Sequence, residues 1–218
     1  MKLAIFDLDN TLIGGDSDHL WGEFLISREV VDATSFREQN DQYYRDYQNG
    51  ILDIHAYQEF VLAPITVYSL QELEQMHRQF MTQRIEPILL PRAFELIDQH
   101  RQSQDILMII TATNRFVTEP IAKRLGIDNL LATEPEIING RYSGKITGSP
   151  CYQQGKVERL KQWLQPQSTL SLQDSYFYSD SINDVPLLTI VDNPVAVDPD
   201  KNLRETALKN NWPIISLR

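Results

Sequence analysis

Short runs of apolar residues recur along the chain and end abruptly in polar residues. Four of them stand out, at 3–6, 106–110, 176–178 and 195–197. Runs of this length without alternating polar residues are typical of strands buried in a parallel sheet. Amphipathic patterns between them predict helices, one opened by Pro91 and one that ends before Gly126. The alternation of strands and helices predicts an α/β protein with a parallel sheet.

Residues 14–90 follow a different pattern. Apolar side chains recur there at helical spacing, as in Trp21, Phe24 and Leu25. We therefore predict a helical insertion at 14–90 and a core domain formed by 1–13 and 91–218. The insertion has thirteen acids, five arginines and no lysine, so it holds −8 of the formal charge of −10.

A β-hairpin is predicted around Asn139-Gly140. Apolar residues precede this pair, and Tyr142 and Ile146 follow it. Asn-Gly between apolar segments is a strong signal for a two-residue hairpin turn, because both positions tolerate a positive φ. We expect a small hairpin flap on the core.

Composition narrows the class of protein. The 218 residues are 42% apolar and 23% charged, which is ordinary for a globular chain. A charge of −10 has the wrong sign for a nucleic-acid partner. The single Cys151 predicts neither an intrachain disulfide nor a zinc motif. No apolar run is long enough for a membrane span, and no signal peptide pattern follows Lys2, so we expect a cytoplasmic protein. We expect it to be a monomer or a homodimer.

Two carboxylates follow the first apolar run, in Asp7-Leu8-Asp9-Asn10-Thr11. Open α/β sheets bind ligands at the carboxyl ends of their strands. Two adjacent acids repel each other, which indicates a hard cation with oxygen ligands. For an isolated Asp-x-Asp, a polar turn remains the simpler explanation.

Further polar residues occupy corresponding places along the chain. Thr111 ends the second run, Lys156 begins a helical pattern after the hairpin, and Asp180 and Asp184 follow the run at 176–178. A hydroxyl can bind an oxyanion and an ammonium can neutralise phosphate. Each residue alone is unremarkable, but three polar strand ends with a lysine between them point to a phosphate site.

These residues resemble the four motifs of the haloacid dehalogenase (HAD) superfamily, and more closely its phosphoserine-phosphatase-like branch, subfamily IB. The resemblance implies a Rossmann-like core with a helical cap inserted after the first motif. It also implies Mg²⁺ held by the Asp7 carboxylate, the Asp9 carbonyl and Asp180, with Asp184 as a further ligand through water or an orienting group. Asn183 matches a family position near the phosphate.

The resemblance implies a phosphatase mechanism. Asp7 would attack phosphorus, while Mg²⁺, Lys156 and Thr111 stabilise the transferring group. Asp9 would protonate the leaving alkoxide and then activate water to hydrolyse the aspartyl-phosphate. A dehalogenase needs no such second acid. A receiver-type signalling domain and a non-catalytic phosphate-binding or regulatory descendant are the alternatives from other classes.

The insertion is expected to select the substrate. Asp16 lies nine residues after Asp7, where phosphoserine phosphatases contact the substrate amine, although a helix N-cap is an equally good explanation. Ungapped matching puts Glu59 where those enzymes hold the serine carboxylate with arginine, although a surface glutamate is the simpler interpretation. With the acidic insertion, this favours a phosphate ester that has an amine and lacks a carboxylate. L-histidinol phosphate fits best, ahead of phosphoserine and of a broad-specificity activity on sugar or nucleotide phosphates.

Other candidates are explained better by packing or solvation. We expect His77 and His100 on helix surfaces. The tyrosines at 43, 44 and 47 are expected to pack rather than to stack on a ligand.

Overall fold

The computed structural model describes residues 2–167 and 170–218. In these residues one seven-stranded sheet has the order β4-β3-β2-β1-β5-β6-β7. The strands are β1 (Leu3–Phe6), β2 (Ile106–Asn114), β3 (Asn129–Ile138), β4 (Arg141–Thr147), β5 (Tyr176–Ser179), β6 (Asn193–Val197) and β7 (Ile214–Ile215). All neighbouring pairs are parallel except β3 with β4. The predicted Rossmann-like α/β class is confirmed.

Four helices lie between β1 and the helix that precedes β2. They are α1 (Ser17–Ser27), α2 (Ala33–Gln48), α3 (Ile54–Leu62) and α4 (Leu70–Phe80). The remaining helices are α5 (Pro91–Gln102), α6 (Arg115–Leu125), α7 (Gln154–Leu164), α8 (Val185–Leu188) and α9 (Lys201–Asn210). None of the helices in the described part of the chain is long and apolar enough to cross a bilayer.

The central strand β1 separates two hydrophobic clusters. Because side chains alternate along a strand, Leu3 and Ile5 face α7, α8 and α9, whereas Ala4 and Phe6 face α5 and α6. The cluster that contains Ala4 and Phe6 also includes apolar residues of the insertion, such as Trp21. The division into a core (1–13 and 91–218) and a cap (14–90) therefore remains a prediction, because one hydrophobic cluster contains residues of both.

The predicted hairpin joins β3 and β4. Asn139 and Gly140 have φ of 51° and 76°, and Ile138 pairs with Arg141 across the turn. The Arg141 guanidinium donates to the Val67 carbonyl at 2.9 Å, so the hairpin contacts the helical insertion. This contact joins the sheet to the segment between α3 and α4.

The expected surface positions of two histidines are wrong. His77 and His100 are only 5% and 8% exposed. In α5, position 100 shares the sheet-facing side with Ala93 and Ile97. Its ring nitrogens lie 2.8 Å from Asp105 Oδ2 and 2.8 Å from the Tyr178 hydroxyl, which satisfies both polar atoms inside the protein.

Candidate active site

Three strand ends meet at one edge of the sheet. In the parallel register, Phe6 of β1 pairs with Ile109 of β2 and with Tyr178 of β5. Asp7 therefore follows β1 beside the end of β5, and its backbone N–H donates to the Tyr178 carbonyl at 2.9 Å. The strand order, rather than closeness along the chain, brings the motif residues together.

Lys156 connects the first and last acidic segments. It lies in the first turn of α7, and its Nζ is 2.8 Å from Asp7 Oδ1 and 2.7 Å from Asp184 Oδ1. The three side chains are buried, and the Ser179 hydroxyl also donates to Asp184 Oδ2 at 2.7 Å. Burial opposes the charge of Lys156, but the two carboxylates outweigh burial and raise the pKa of the ammonium. The lysine thus holds Asp7 in place.

The environment of Asp7 favours neither protonation state strongly near neutral pH. Burial raises its pKa to about 7, against the attraction of Lys156 and with added repulsion from Asp184 and Asp9. The Thr11 hydroxyl lies 3.4 Å from Asp7 Oδ2 and 3.2 Å from Asp180 Oδ1. This places Asp7 and Asp180 on either side of one hydroxyl.

Asp9 is held by hydrogen bonds from two different elements. Its Oδ1 accepts from the Ser17 N–H at 2.7 Å, and its Oδ2 accepts from the Thr113 hydroxyl at 2.9 Å. Burial, followed by the charge of Asp16, raises the pKa of Asp9 to about 7, although these hydrogen bonds oppose the rise. A carboxyl group with this pKa can both donate and accept a proton at neutral pH.

Sequence reasoning missed Thr113. Its signal was available, because Thr113 lies two residues after Thr111 on β2, and residues at this spacing share one face of a strand. Thr111 itself is buried at the same strand end, and its hydroxyl accepts from the Thr113 N–H at 3.2 Å.

A narrow cavity extends from these residues into the helical insertion. It has about 470 Å³ of empty space, part of which is open to solvent. The lining residues are Asp7, Asp9 and 111–113 at the sheet edge, and Asp16, Asp18, Tyr43, Tyr44, Tyr47, Leu52, Ile54 and Tyr57 in the insertion.

The tyrosines of α2 pack against other aromatic rings, as expected, and also border open space. Tyr43, Tyr44 and Tyr47 recur at helical spacing and line the cavity. Tyr44 and Tyr47 also border a second opening that contains Asp180 and has about 830 Å³ of empty space. The tyrosines thus separate two approaches to the strand ends.

The position of Asp16 is compatible with both predicted roles, the helix N-cap and the contact with a substrate amine. It is the N-cap of α1, where its Oδ1 accepts from the His19 N–H at 2.8 Å. The same side chain lines the cavity. Capping and ligand binding are therefore compatible, and the second role remains a prediction.

The structure does not place Glu59 at the cavity, so its predicted substrate contact stays a prediction. Tyr57 lines the cavity and Gln58 is buried, whereas Glu59 is exposed on α3. Successive helical residues are rotated by about 100°, so position 59 faces away from the cavity. Glu59 therefore lies on the side of α3 away from the cavity.

The predicted phosphate-binding role of Asn183 also differs from its observed contacts. Asn183 does not line the cavity. Its Nδ2 donates to the Tyr47 carbonyl at 2.8 Å, and its Oδ1 accepts from the Tyr152 hydroxyl at 3.0 Å and from Gln153 at 3.0 Å. Its amide group therefore connects the end of α2 to the core.

The side chains at the strand ends do not form a ready-made metal cluster. Within 2–167 and 170–218, no three His, Cys, Asp or Glu side chains converge as a set of metal ligands. Cys151 is buried, and burial raises the pKa of its thiol to about 12. It is neither a nucleophile nor a metal ligand at neutral pH.

Asp7, Thr111, Lys156 and Asp180 all lie within the part of the chain that matches a family model. The model described as haloacid dehalogenase-like hydrolase matches residues 4–189. The chain belongs to this family. The resemblance found in the sequence is confirmed, and the chain is an enzyme, a HAD-type hydrolase whose relatives include phosphatases.

Individual relatives of this HAD hydrolase cover the whole chain. It is 45% identical to the histidinol-phosphatase of Neisseria meningitidis serogroup C (strain 8013), over 100% of this chain and 99% of the relative. A crystal structure of a protein with unknown function from Bordetella pertussis Tohama I is 42% identical, with a TM-score of 0.92 and coverage of 100% and 99%. A substrate-bound phosphoserine phosphatase complex, 17% identical, has a TM-score of 0.72 with coverage of 100% and 93%, which shows a shared fold.

Proposed function

We propose that the protein is a Mg²⁺-dependent phosphomonoester hydrolase that acts through an aspartyl-phosphate, with L-histidinol phosphate as the favoured substrate. The observation that carries the proposal is the buried Lys156, which holds Asp7 at 2.8 Å next to the strand end that positions Asp9. This arrangement offers a fixed nucleophile, a cation for phosphoryl charge and a carboxyl group suited to proton transfer.

The two aspartates have separate tasks in this proposal. Asp7 attacks phosphorus in line with the departing oxygen. Asp9 protonates that oxygen and then accepts a proton from the water that hydrolyses the aspartyl-phosphate. Its contacts with Ser17 and Thr113 fix the carboxyl group without a cationic partner, which would favour the unprotonated state.

The strand ends suit Mg²⁺. Asp7 and Asp180 lie on either side of the Thr11 hydroxyl, and burial, with added repulsion from neighbouring carboxylates such as Asp184, raises the pKa of both. A divalent cation would relieve this repulsion, and Mg²⁺ prefers a few carboxylate and carbonyl oxygens together with substrate phosphate. We assign its binding to the Asp7 and Asp180 carboxylates and the Asp9 carbonyl, assisted by Asp184. The ion would neutralise charge on the phosphoryl group.

Phosphate binding is assigned to Thr111 and Lys156. Thr111 is buried in β2, three residues before the strand ends, and lines the cavity. Its hydroxyl can donate to a phosphoryl oxygen, whereas the ammonium of Lys156 supplies positive charge in a site shielded from water. Both groups act at the end of the substrate opposite the insertion.

The preference for an amine without a carboxylate is supported by the cavity. Asp16 can pair with an amine, and among the described residues that line the cavity there is no lysine, arginine or histidine. A substrate carboxylate would therefore meet acids and tyrosines instead of a cation. The relative named histidinol-phosphatase, at 45% identity, supports the same choice. Phosphoserine is the second candidate, since the shared fold includes phosphoserine phosphatases.

A substrate panel tests the proposal. Purified protein is assayed for phosphate release from L-histidinol phosphate, O-phosphoserine, a sugar phosphate and an aryl phosphate, with Mg²⁺ or with a chelator. We expect Mg²⁺-dependent turnover, with the largest kcat/KM for L-histidinol phosphate. The Asp7→Asn variant serves as the control and should lose activity.

The panel separates the alternatives. Equal or higher kcat/KM for O-phosphoserine would contradict L-histidinol phosphate as the favoured substrate. Similar values for all esters would indicate a broad-specificity enzyme. Phosphate binding without turnover of any ester would indicate a non-catalytic descendant. Substantial turnover by Asp7→Asn would contradict the assignment of Asp7 as the nucleophile.

A further inference from the structure

Asp18 is a buried acid that the functions assigned above do not use. It lies in the first turn of α1, two residues after Asp16, and is 2% exposed. Asp16 caps the helix, so capping does not explain the second carboxylate. Asp18 lines the cavity shared with Asp7, Asp9 and Thr111.

One oxygen of this carboxylate lacks a partner. Asp18 Oδ1 receives a long hydrogen bond of 3.4 Å from Asn114 Nδ2. Asp18 Oδ2 is buried and has no hydrogen-bond partner among the residues that the structure describes. Burying a carboxylate without a compensating donor destabilises the protein, and the start of a helix offsets only part of this effect. The donors near this carboxylate in the described residues, the Asn114 amide and the Tyr57 hydroxyl, carry no charge, so the arrangement calls for a cationic donor supplied from the cavity.

The neighbouring groups increase the need for a cation. Burial and the charges of Asp16 and Asp9 raise the pKa of Asp18 well above its usual range, although the nearby Tyr57 hydroxyl opposes this rise. Tyr43, Tyr44 and Tyr57 line the same space. Tyrosine rings attract cations and stack on planar groups, so the wall accommodates a cation with aromatic character.

The two acids occupy different places at the helix start. Asp16 accepts the capping hydrogen bond of the His19 N–H with its Oδ1 and is partly exposed, whereas Asp18 is the more deeply buried group. Because they are separate carboxylates, one substrate can place a different N–H group against each.

We propose that Asp18 is a specificity-determining residue that accepts a hydrogen bond from a second nitrogen group of the substrate, while Asp16 accepts one from the amine. This inference rests on the proposed function and narrows its substrate class to phosphate esters whose alcohol has both an amine and a separate N–H donor. An imidazole ring within the reach of the tyrosine wall meets this description. L-Histidinol phosphate has both groups, whereas O-phosphoethanolamine has the amine alone.

The test is a change in selectivity caused by Asp18→Asn. The variant keeps the shape of the side chain but loses its charge. We expect kcat/KM for L-histidinol phosphate to fall about 10- to 100-fold, the usual effect of removing a charged hydrogen-bond partner. The values for O-phosphoethanolamine and an aryl phosphate should change less than about threefold, because neither presents a second nitrogen donor. Glu38→Gln, at an exposed acid of α2, is the matched control and should leave all values unchanged.

A second measurement is independent of turnover of the cationic ester. L-Histidinol, the alcohol product, should inhibit hydrolysis of the aryl phosphate, and Asp18→Asn should raise its Ki at least about tenfold. The Ki of inorganic phosphate should stay the same. Asp18→Glu, which keeps the charge, should recover part of the selectivity and provides the test if Asp18→Asn does not fold.

The outcomes distinguish the two proposals. An equal loss for all three esters, or an unchanged Ki for L-histidinol, would overturn the role of Asp18 while leaving the phosphatase intact. A wild-type protein that hydrolyses the aryl phosphate but shows no preference for L-histidinol phosphate over O-phosphoethanolamine would also overturn it. Failure of wild-type protein on every ester would contradict the proposed function itself.

Discussion

Asp9 has the surroundings that best suit a proton-transfer group. Its two hydrogen bonds hold both carboxyl oxygens, and its pKa is raised to about 7, mainly by burial. Asp9→Asn keeps the shape but cannot exchange a proton. We expect kcat to fall about 10²- to 10⁴-fold, the range usual for general acid–base catalysis.

The same variant should accumulate the intermediate. An aryl alcohol leaves without protonation, so Asp9→Asn should still form the aspartyl-phosphate from an aryl phosphate but hydrolyse it slowly. Intact-mass spectrometry after quenching in acid should show one added phosphoryl group. Asp7→Asn in the same experiment should show none. Turnover of Asp9→Asn near the wild-type rate would contradict the assignment.

Asp18 should also affect stability in a pH-dependent way. Its folded-state pKa lies above its unfolded value, so the folded protein binds the proton more tightly. Stability from this group is therefore largest below the usual Asp pKa and is lost as the pH rises towards the folded-state value.

Asp18→Asn removes this titration. Relative to wild type, the variant should gain stability as the pH rises above the usual Asp pKa, by at least about 3 °C in Tm, which corresponds to roughly 1 kcal/mol. Thermal unfolding followed by circular dichroism at several pH values, without added metal, measures the difference. A difference in Tm that does not vary with pH would show that Asp18 does not change its protonation in this range.

Residues placed directly by strand ends could be predicted from the sequence. Asp7, Thr111 and Asp180 each follow an apolar run, so the parallel topology brings them together. The unpaired state of Asp18 could not be predicted, because it depends on side chains from distant helices. The exposed position of Glu59 could not be predicted for a related reason, since alignment alone does not fix which side of α3 faces the cavity.

Among the elements, those with local signals were predicted well. The hairpin turn follows from Asn139-Gly140, and α6 ends at Gly126 with φ of 69°. By contrast, β2 continues to Asn114, beyond its apolar run, because it pairs with β3. The short β7 has only two residues and is defined by pairing with β6. Long-range pairing, which local patterns do not encode, decides both cases.

The end of α2 is held to the core by a small group of amides. Asn183 donates to the Tyr47 carbonyl at 2.8 Å, and Gln153 Nε2 lies 3.4 Å from the Gly50 carbonyl. Since α2 supplies tyrosines to the cavity wall, these contacts favour the closed position of the helix. Opening of this end would admit substrate.

Asn183→Ala should loosen this connection. We expect faster hydrogen exchange of the amides at 47–50 and a KM for the favoured ester raised about 3- to 10-fold, as for the loss of one or two net hydrogen bonds. The Ki of inorganic phosphate decides between two roles. If Asn183 only holds the helix, this Ki should stay close to the wild-type value. A large increase would instead support the predicted contact of Asn183 with phosphate.

At the scale of the whole molecule, the insertion and the sheet share one hydrophobic cluster. Trp21 of α1 is 1% exposed, and its ring lies 5.1 Å from Phe80 of α4 and 5.1 Å from Phe116 of α6. The first contact lies within the insertion, and the second reaches the core. Packing at this tryptophan therefore connects the helix that carries Asp16 and Asp18 to the scaffold that carries the strand ends.

Trp21→Ala tests whether the two parts unfold together. Loss of a buried tryptophan should lower the free energy of unfolding by about 3–5 kcal/mol. Urea unfolding followed by circular dichroism should show a single transition moved to lower urea, because the cluster couples both parts. Trp163→Ala, at a half-buried position on the opposite face of the sheet, is the control and should lower stability less. Two separate transitions, with one unmoved by Trp21→Ala, would instead show that residues 14–90 fold as an independent cap.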